Sequence, residues 1–351
     1  KLSGYLIEPS LTAGFISMGM NVFLVGPMPT PAISMLTRSM RCDVGVMISA
    51  SHNSYEDNGI KLFNPNGSKL NDKNELEIEK LIDDDKKLKK QLVDSKKLGR
   101  AKRIEDAAGR YLEFVKSTFP NNQSLNKLKI VIDCANGAAY NVGPTILWEL
   151  GAEVIPLNVN PDGTNVNKNS GSTNPKTLIS AVKKTKADLG IALDGDADRC
   201  VLIDDKGRII NGDLILAIIA TKWKNKNILQ NNTVVGTKMS NSGLANYLEK
   251  NNINFIRTDV GDRNIIKKMR QNNFVLGGEP SGHIILSNKS SSGDGLLASL
   301  EVLYTLKETK KKLSSLHTLF KPVPQITKSY TVNKNNTAEK ILKTLKAEIL
   351  K

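Results

Sequence analysis

The stretch Asp188-Leu189-Gly190-Ile191-Ala192-Leu193 is a mostly apolar run that leads directly into the polar loop Asp194-Gly195-Asp196-Ala197-Asp198-Arg199. The same pattern of Asp, apolar, Gly and three apolar residues occurs at residues 43–48, and a looser version occurs at residues 274–278. Short apolar runs that end in polar loops are typical of buried strands. We therefore predict three related units, each with a strand that ends in a polar loop.

Strand-like segments rich in Val and Ile alternate with segments of helical period along the chain. The strand-like segments lie at residues 21–26, 43–48, 129–133, 153–157, 188–193, 233–236, 254–258 and 274–278. Such alternation is typical of α/β proteins. We predict three related α/β domains with mixed, mostly parallel sheets covered by helices. Ligands bind beyond the carboxyl ends of strands in such sheets, so the active site is expected in the cleft between domains.

The length of 351 residues predicts two or three domains of ordinary size. The predicted domains span residues 1–104, 105–206 and 207–318. Residues 319–351 begin with a linker, and the residues that follow it are too few for another independent domain. Residues 83–103 are expected to be a surface helix or linker, and residues 200–210 to be a hairpin. Lys321-Pro322-Val323-Pro324 is expected to break the preceding helix.

Composition excludes several classes of protein. The hydrophobic share of 39% and the charged share of 24% are ordinary for a globular chain, and no apolar run approaches the roughly 18–20 residues of a membrane span. The three cysteines argue against a disulfide framework and for a reducing, cytoplasmic compartment. The net charge is +15, but only 5% of the residues are aromatic, so a lysine-biased composition together with an anionic small substrate explains the charge better than nucleic acid does.

The first polar loop, residues 49–59, presents Ser51 beside His52. Adjacent side chains diverge, and no G-x-S-x-G motif surrounds the serine, so a serine–histidine hydrolase pair is disfavoured. A hydroxyl that carries a phosphoryl group fits better, with His52, Asn53 and Lys61 as polar neighbours. An ordinary turn between strand and helix remains the alternative for this loop taken alone.

The second loop alternates three carboxylates, Asp194, Asp196 and Asp198, with small residues. Three such groups repel one another unless a cation neutralises them, and an all-oxygen ligand set favours Mg²⁺ over zinc. An EF-hand is excluded because Arg199 occupies the turn position that requires glycine. The alternative is a solvated acidic turn.

The third loop, Gly277-Gly278-Glu279-Pro280-Ser281-Gly282-His283, places an acceptor, a hydroxyl and an imidazole at alternating positions. A sugar with several hydroxyl groups would use Glu279, Ser281 and His283 well, although the motif is weak in isolation. The nearby segment Thr258-Asp259-Val260-Gly261-Asp262-Arg263 opens a helix, where backbone amides and Arg263 suit a phosphate. A plain helix cap is equally consistent with this segment.

Taken together, the loops resemble those of the α-D-phosphohexomutases, and most closely the bacterial phosphoglucosamine mutases. The resemblance rests on Ala50-Ser51-His52-Asn53 with Asp57-Asn58-Gly59-Ile60-Lys61, on residues 194–199 and on residues 278–283. Gly26-Pro27-Met28-Pro29-Thr30-Pro31 and Val260-Gly261-Asp262-Arg263 support it. The similarity covers nearly the whole chain in the expected order.

The resemblance implies a phosphoserine at Ser51 and one Mg²⁺ ion held by that phosphoserine with Asp194, Asp196 and Asp198. It also implies phosphoryl-side and acid/base roles for His52, Lys61 and Arg199. The sugar-contacting set would then be Glu279, Ser281 and His283, with Arg263 as a further substrate-binding residue. The implied reaction interconverts glucosamine 6-phosphate and glucosamine 1-phosphate through a 1,6-bisphosphate, which supplies amino sugar for cell-wall precursors.

This sequence departs from the family pattern at several places. Ser54 stands where proline is usual and Ala197 where glycine is common. The family's N-terminal segment and most of its fourth domain are not found, so residues 319–351 are expected to be a linker and the start of an incomplete fourth domain, and turnover by this chain alone is in question. The alternative functions are a phosphomannomutase or phosphoglucomutase, a non-catalytic sugar-phosphate-binding fragment, and a Mg²⁺ phosphatase. The chain is expected to form a homodimer and to bind neither nucleic acid nor membranes.

Overall fold

The computed structural model describes residues 1–326, and the statements below refer to this part of the chain. The N-terminal unit contains two separate two-stranded ribbons. Its elements are α1 (Gly4–Ser17), β1 (Val22–Leu24), α2 (Thr30–Ser39), β2 (Gly45–Ile48), β3 (Ile60–Phe63), α3 (Asp72–Ile82), α4 (Asp85–Gln91) and β4 (Ala101–Arg103). Strand β1 pairs in parallel with β4, and β2 pairs antiparallel with β3. Helix α1 packs against both β1 and β2.

The second unit is a five-stranded mixed sheet in the order β6-β5-β7-β8-β9. Its elements are α5 (Ala107–Ser117), β5 (Lys129–Asp133), α6 (Val142–Glu149), β6 (Glu153–Leu157), α7 (Lys176–Thr185), β7 (Leu189–Leu193), β8 (Cys200–Asp204) and β9 (Ile209–Ile210). Strand β5 pairs in parallel with both β6 and β7, whereas β8 pairs antiparallel with both β7 and β9. The predicted hairpin therefore closes this sheet.

The third unit repeats the arrangement with four strands in the order β11-β10-β12-β13. Its elements are α8 (Gly212–Asn225), β10 (Thr233–Thr237), α9 (Ser242–Lys250), β11 (Asn254–Thr258), α10 (Asp262–Asn272), β12 (Leu276–Gly278), β13 (Ile284–Leu286), α11 (Gly295–Thr309) and α12 (Leu313–Leu316). Strands β10, β11 and β12 are parallel and β13 is antiparallel. The predicted α/β class with mixed sheets is confirmed, and parallel pairings outnumber antiparallel ones only slightly.

The glycine in the sequence repeat has a packing reason. Gly45, Gly190 and Gly277 lie on β2, β7 and β12, where a helix crosses the strand closely. A Cβ added at Gly190 would lie 2.8 Å from Val182 of α7, and one added at Gly277 would lie 2.7 Å from a side chain of α10. In each unit, the glycine of the repeat therefore lies on the strand whose carboxyl end leads into the polar loop.

Several elements differ from the sequence-based expectation. Residues 83–103 contain α4 and the strand β4, which the sequence did not predict because every residue of β4 is exposed. The last long helix, α11, ends at Thr309 and is capped by Lys310, which has a left-handed φ of 53°, so it stops well before the Pro-rich segment. Of the predicted linker and fourth-domain start at residues 319–351, residues 327–351 lie outside the described part of the chain. Within residues 1–326, no helix combines the length and the apolar character that crossing a bilayer requires.

The buried residue Asp294 directly precedes helix α11. Its carboxylate caps the helix and also forms a hydrogen bond to the second unit. One oxygen accepts hydrogen bonds from the amides of Leu296 and Leu297, at 2.9 and 3.0 Å, and the other accepts from the hydroxyl of Tyr111 at 2.9 Å. Burial raises the pKa of Asp294 to about 6, although these hydrogen bonds oppose the increase. The group therefore titrates below neutral pH in the folded chain.

We expect Asp294→Asn to remove part of the pH dependence of stability. A carboxyl whose folded pKa is raised stabilises the fold at low pH, and this contribution is lost as the pH rises through the folded value near 6. Relative to the unsubstituted chain, the variant should gain about 2–3 kcal/mol between pH 4 and pH 7.5, because Asn keeps the capping oxygen without the charge. Urea unfolding at both pH values measures the gain; equal differences at the two pH values would contradict the assignment.

Candidate active site

Ser51 lies in the turn that follows β2, and its backbone has a left-handed φ of 46°. The hydroxyl of Ser49 accepts a hydrogen bond from the Ser51 amide at 2.9 Å, which tightens the turn. The Ser51 hydroxyl points away from its own unit and donates to Oδ2 of Asp194 at 2.6 Å. The first two loops, 143 residues apart in sequence, therefore meet at the serine and the first aspartate.

The three aspartates of the second loop form a buried cluster after β7. One carboxylate oxygen of each lies within 4.8 Å of the others. The amide of Arg199 donates to Asp194, and Ala197, with a left-handed φ of 57°, turns the loop between the carboxylates. One oxygen of Asp196 and one of Asp198 are buried without a hydrogen-bond partner among the described residues.

These unpartnered oxygens test whether the cluster fits a metal ion. A buried carboxylate oxygen without a donor is costly unless a cation coordinates it. Oxygen ligands close together on a tight loop are the chemistry that a hard divalent cation prefers. The cluster can therefore hold a metal such as Mg²⁺, as the spacing in the sequence indicated.

The charges of the cluster are unevenly compensated. Burial, followed by the charges of Asp198 and Asp196, raises the pKa of Asp194 well above its ordinary range. Burial acts in the same direction on Asp198, but its neighbours His283, Lys61 and Arg199 outweigh it and hold the pKa of this carboxyl below its ordinary range. The buried site is thus a low-dielectric environment, in which a bound cation would interact strongly with the carboxylates.

Lys61 supplies the closest positive charge. It lies on β3, opposite Met47 of β2, and its ammonium group is 2.6 Å from Asp196 and 3.4 Å from Asp198. Burial lowers the pKa of Lys61, but the charges of Asp196 and Asp198 more than compensate and raise it above the ordinary value. This lysine therefore stays charged at neutral pH.

Thr30 also belongs to the cluster, although sequence reasoning gave it no role. It begins α2, donates its hydroxyl to Oδ2 of Asp196 at 2.6 Å and donates its amide to the carbonyl of Asp196 at 2.9 Å. The hydroxyl of Ser49 donates to the same Oδ2 at 3.0 Å. The family-like stretch at residues 26–31 was the only signal for Thr30, because its partner lies 166 residues away.

His52 and Arg199 lie near the aspartate cluster. Burial, followed by the charge of Arg199, lowers the pKa of His52, so its imidazole is neutral at pH 7 and able to accept a proton. Arg199 is partly exposed, and its Nε lies 3.9 Å from Asp198 without a hydrogen-bond partner in the described part of the chain.

The third loop lies beside the aspartate loop. The amide of Cys200 donates to the carbonyl of Gly282 at 3.0 Å. Glu279 accepts a hydrogen bond from the amide of Gly261 at 3.1 Å, and Ser281 is exposed. His283 is only 3% exposed and lies between Asp198 and Asp262, with a nitrogen 3.6 Å from each. In this conformation His283 faces carboxylates rather than open solvent.

Arg263 is engaged by the N-terminal unit. Its guanidinium group lies 2.5 Å from Asp72 and 2.5 Å from Glu75, both on α3. Asp262, the residue before Arg263, pairs with Lys69, which also belongs to the N-terminal unit. Arg263 is therefore paired across two units in this conformation, and its predicted contact with substrate would require it to leave these carboxylates.

Known domain families match almost the whole described chain. The α/β/α domain I of phosphoglucomutase/phosphomannomutase matches residues 1–89, domain II matches residues 109–207, and domain III matches residues 211–323. The chain belongs to the phosphoglucomutase/phosphomannomutase family. Within this family it groups with the phosphoglucosamine mutases: the protein of that name from Paramagnetospirillum magneticum is 56% identical over 339 residues, which are 97% of this chain and 75% of that protein.

Solved structures agree on the phosphohexomutase fold. A phosphoglucomutase/phosphomannomutase family protein from Burkholderia thailandensis has a TM-score of 0.76 at 24% identity, over 89% of this chain and 68% of that chain. N-acetylphosphoglucosamine mutase from Aspergillus fumigatus, in complex with GlcNAc-6P and magnesium, has a TM-score of 0.64 at 18% identity, over 91% of this chain and 84% of that chain. At these identities the solved structures establish only the fold. The evidence that the chain is an enzyme comes from the phosphoglucosamine mutases of similar sequence.

Proposed function

We propose that the chain interconverts glucosamine 6-phosphate and glucosamine 1-phosphate through a phosphoryl group carried on Ser51. The observation that carries the proposal is the 2.6 Å hydrogen bond from the Ser51 hydroxyl to Asp194, at the rim of a buried carboxylate cluster. The high identity to phosphoglucosamine mutases supports the choice of substrate. The Ser51 hydroxyl donates to one carboxylate of a three-carboxylate cluster. Such a site is unfavourable for attack on a carbonyl, but it suits a phosphate on Ser51 if a cation lies between the phosphate and the carboxylates.

Charge explains why the site would need a divalent cation. A phosphoserine brings a charge of about −1.5 to −2 at neutral pH, next to three carboxylates. Mg²⁺ held by Asp194, Asp196, Asp198 and a phosphate oxygen on Ser51 would neutralise this charge and polarise the phosphoryl group. Lys61, which contacts Asp196 and Asp198, adds a further positive charge that holds these two aspartates in place.

The chain's own residues then account for the transfer. The bond between phosphorus and the Ser51 oxygen breaks while a substrate hydroxyl oxygen bonds to phosphorus, which gives the 1,6-bisphosphate. Neutral His52 accepts the proton of that hydroxyl, and Arg199 contacts the phosphoryl oxygens. The departing Ser51 oxygen takes up a proton and becomes a hydroxyl again. In the second half of the reaction, this hydroxyl attacks the other phosphate of the bisphosphate and loses its proton, while His52 returns its proton to the sugar oxygen that leaves.

Glu279, Ser281 and His283 are the proposed sugar-binding residues, with Arg263 on a substrate phosphate. Glu279 and exposed Ser281 present acceptor and donor groups for sugar hydroxyls or for an amino group. A carboxylate near a protonated amine would favour glucosamine over glucose or mannose. The domain boundaries at residues 104, 206 and 318, the homodimer and the cytoplasmic location stay predictions.

The substrate proposal is tested by comparing the rates with the 6-phosphates of glucosamine, glucose and mannose, with a catalytic amount of the matching 1,6-bisphosphate. We expect glucosamine 6-phosphate to give the highest kcat/KM by at least about tenfold, equivalent to ~1.4 kcal/mol of transition-state binding. A preference for mannose or glucose would make the chain a phosphomannomutase or phosphoglucomutase. Release of inorganic phosphate without isomerisation would indicate a phosphatase.

A further inference from the structure

Asn167 joins the loop that carries Ser51 to the loop that carries the aspartates. It lies in the connection between β6 and α7, in the second unit. Its side-chain Nδ2 donates to the carbonyl of Ser51 at 3.0 Å and to the carbonyl of Asn53 at 3.1 Å. Neither the sequence pattern nor the mechanism above uses this residue.

The surroundings of Asn167 fix its position. Its amide donates to the carbonyl of Ala135 at 2.9 Å, and its φ of 59° lies in the left-handed region that Asn tolerates. A Cβ added at Gly195, between the first two aspartates, would lie 2.8 Å from both Nδ2 of Asn167 and the carbonyl oxygen of Ser51. The side-chain amide therefore fills the narrow space between the two loops.

The orientation of the amide group follows from its acceptors. Both neighbours are carbonyl oxygens, so the NH₂ group must face them, because the amide oxygen in that place would be repelled by both. With its carbonyl held by Asn167 and its amide held by Ser49, Ser51 is fixed on both sides in its left-handed conformation. A residue with a Cβ adopts this conformation only when its surroundings impose it.

We infer that Asn167 is a positioning residue for phosphoryl transfer. By holding the carbonyls of Ser51 and Asn53 toward the second unit, it directs the Ser51 hydroxyl to Asp194 and the metal-binding loop. This inference rests on the proposed function, because positioning matters only if Ser51 carries the phosphoryl group. It adds a residue that touches neither the sugar nor the carboxylates.

Two glycine variants distinguish the effect of losing the Asn167 side-chain amide from the effect of placing glycine in this backbone conformation. Asn167 and Asn169 are in the same loop with left-handed φ values of 59° and 52°, and the Asn169 side chain is exposed. Glycine keeps this backbone conformation at either position. Asn167→Gly should slow the maximal rate of phosphoryl transfer from glucose 1,6-bisphosphate to Ser51 by about 10- to 100-fold, since a displacement of ~1 Å costs this much. Asn169→Gly should stay within twofold of the unsubstituted chain.

Three readouts distinguish positioning from a general structural effect. The half-saturating bisphosphate concentration should change less than twofold in Asn167→Gly while the maximal rate falls. Hydrogen exchange of the amides at residues 49–59 should accelerate in Asn167→Gly and not in Asn169→Gly. Asn167→Asp, which keeps the shape but turns an oxygen toward both carbonyls, should be as slow as the glycine variant.

The outcomes also separate this inference from the proposed function. If the unsubstituted chain takes no phosphate at Ser51, the proposed function fails, and exchange at residues 49–59 still tests whether Asn167 holds the loop. If Asn167→Gly or Asn167→Asp transfers at the unsubstituted rate, positioning by Asn167 is overturned. An equal slowing in Asn167→Gly and Asn169→Gly would overturn it as well.

Discussion

Replacing Ser51 by alanine should abolish phosphoryl incorporation into the chain and reduce isomerisation by at least about a thousandfold, as for other covalent nucleophiles. Two other hydroxyls at the cluster are poorly placed to replace it, because Ser49 and Thr30 both donate to Asp196 and are buried. The measurement is intact mass after incubation with glucose 1,6-bisphosphate and Mg²⁺, with peptide mapping of residues 49–59. One phosphate per chain is expected in the unsubstituted protein and none in the variant.

Ser54→Ala is the matched control for this experiment. Ser54 is in the same loop, but it is exposed and its hydroxyl donates to Glu56 rather than to the aspartate cluster. This variant should incorporate phosphate as the unsubstituted chain does. Stoichiometric phosphate on Ser51→Ala, at whatever residue, would remove the basis for the mutase mechanism.

Asp194→Asn should have opposite effects on stability with and without Mg²⁺. Burial and the nearby charges of Asp198 and Asp196 raise the pKa of Asp194, so this carboxyl stabilises the fold only while protonated and loses that contribution as the pH rises through its folded pKa. The asparagine variant has no such loss. Without metal at pH 7.5 it should unfold about 2–6 °C above the unsubstituted chain, equivalent to ~1–2 kcal/mol.

Addition of Mg²⁺ should reverse this order. A metal that binds only the folded state stabilises it by about 2.7 kcal/mol at a concentration one hundred times its Kd. Asp194→Asn loses a charged ligand and should gain little from the metal. Thermal unfolding at several Mg²⁺ concentrations measures both effects, and Asp83→Asn, an exposed site outside the cluster, controls for net charge. An unchanged Mg²⁺ response in Asp194→Asn would show that the metal binds elsewhere.

The sequence predicted most of the central strands but not the margins of the fold. Strands β5, β6 and β11 begin and end where the apolar runs do, because burial and local pattern agree there. Strand β4 has no buried residue, and helix α1 has none either and contains Pro9, so neither has an amphipathic pattern to detect. These elements form through contacts with distant segments, which no local window contains.

The site shows the same division between local and distant information. The spacing of Asp194, Asp196 and Asp198 was sufficient to predict a cation site, because the three carboxylates lie in one short loop. The pairing of Arg263 with Asp72 and Glu75 was not predictable, since it depends on how two units meet. The contact of Ser51 with Asp194 was predicted only through the resemblance to a family.

The two ribbons of the N-terminal unit have a consequence for how the chain behaves in concentrated solution. Within residues 1–326, β1 pairs only with β4 and β2 only with β3, so each has one edge whose backbone amides and carbonyls meet no neighbouring strand. Such edges are templates on which an extended segment of another polypeptide can add. Intermolecular β-pairing, and the aggregation that follows from it, can therefore begin at these strands, as it can at the edge strands of the two larger sheets.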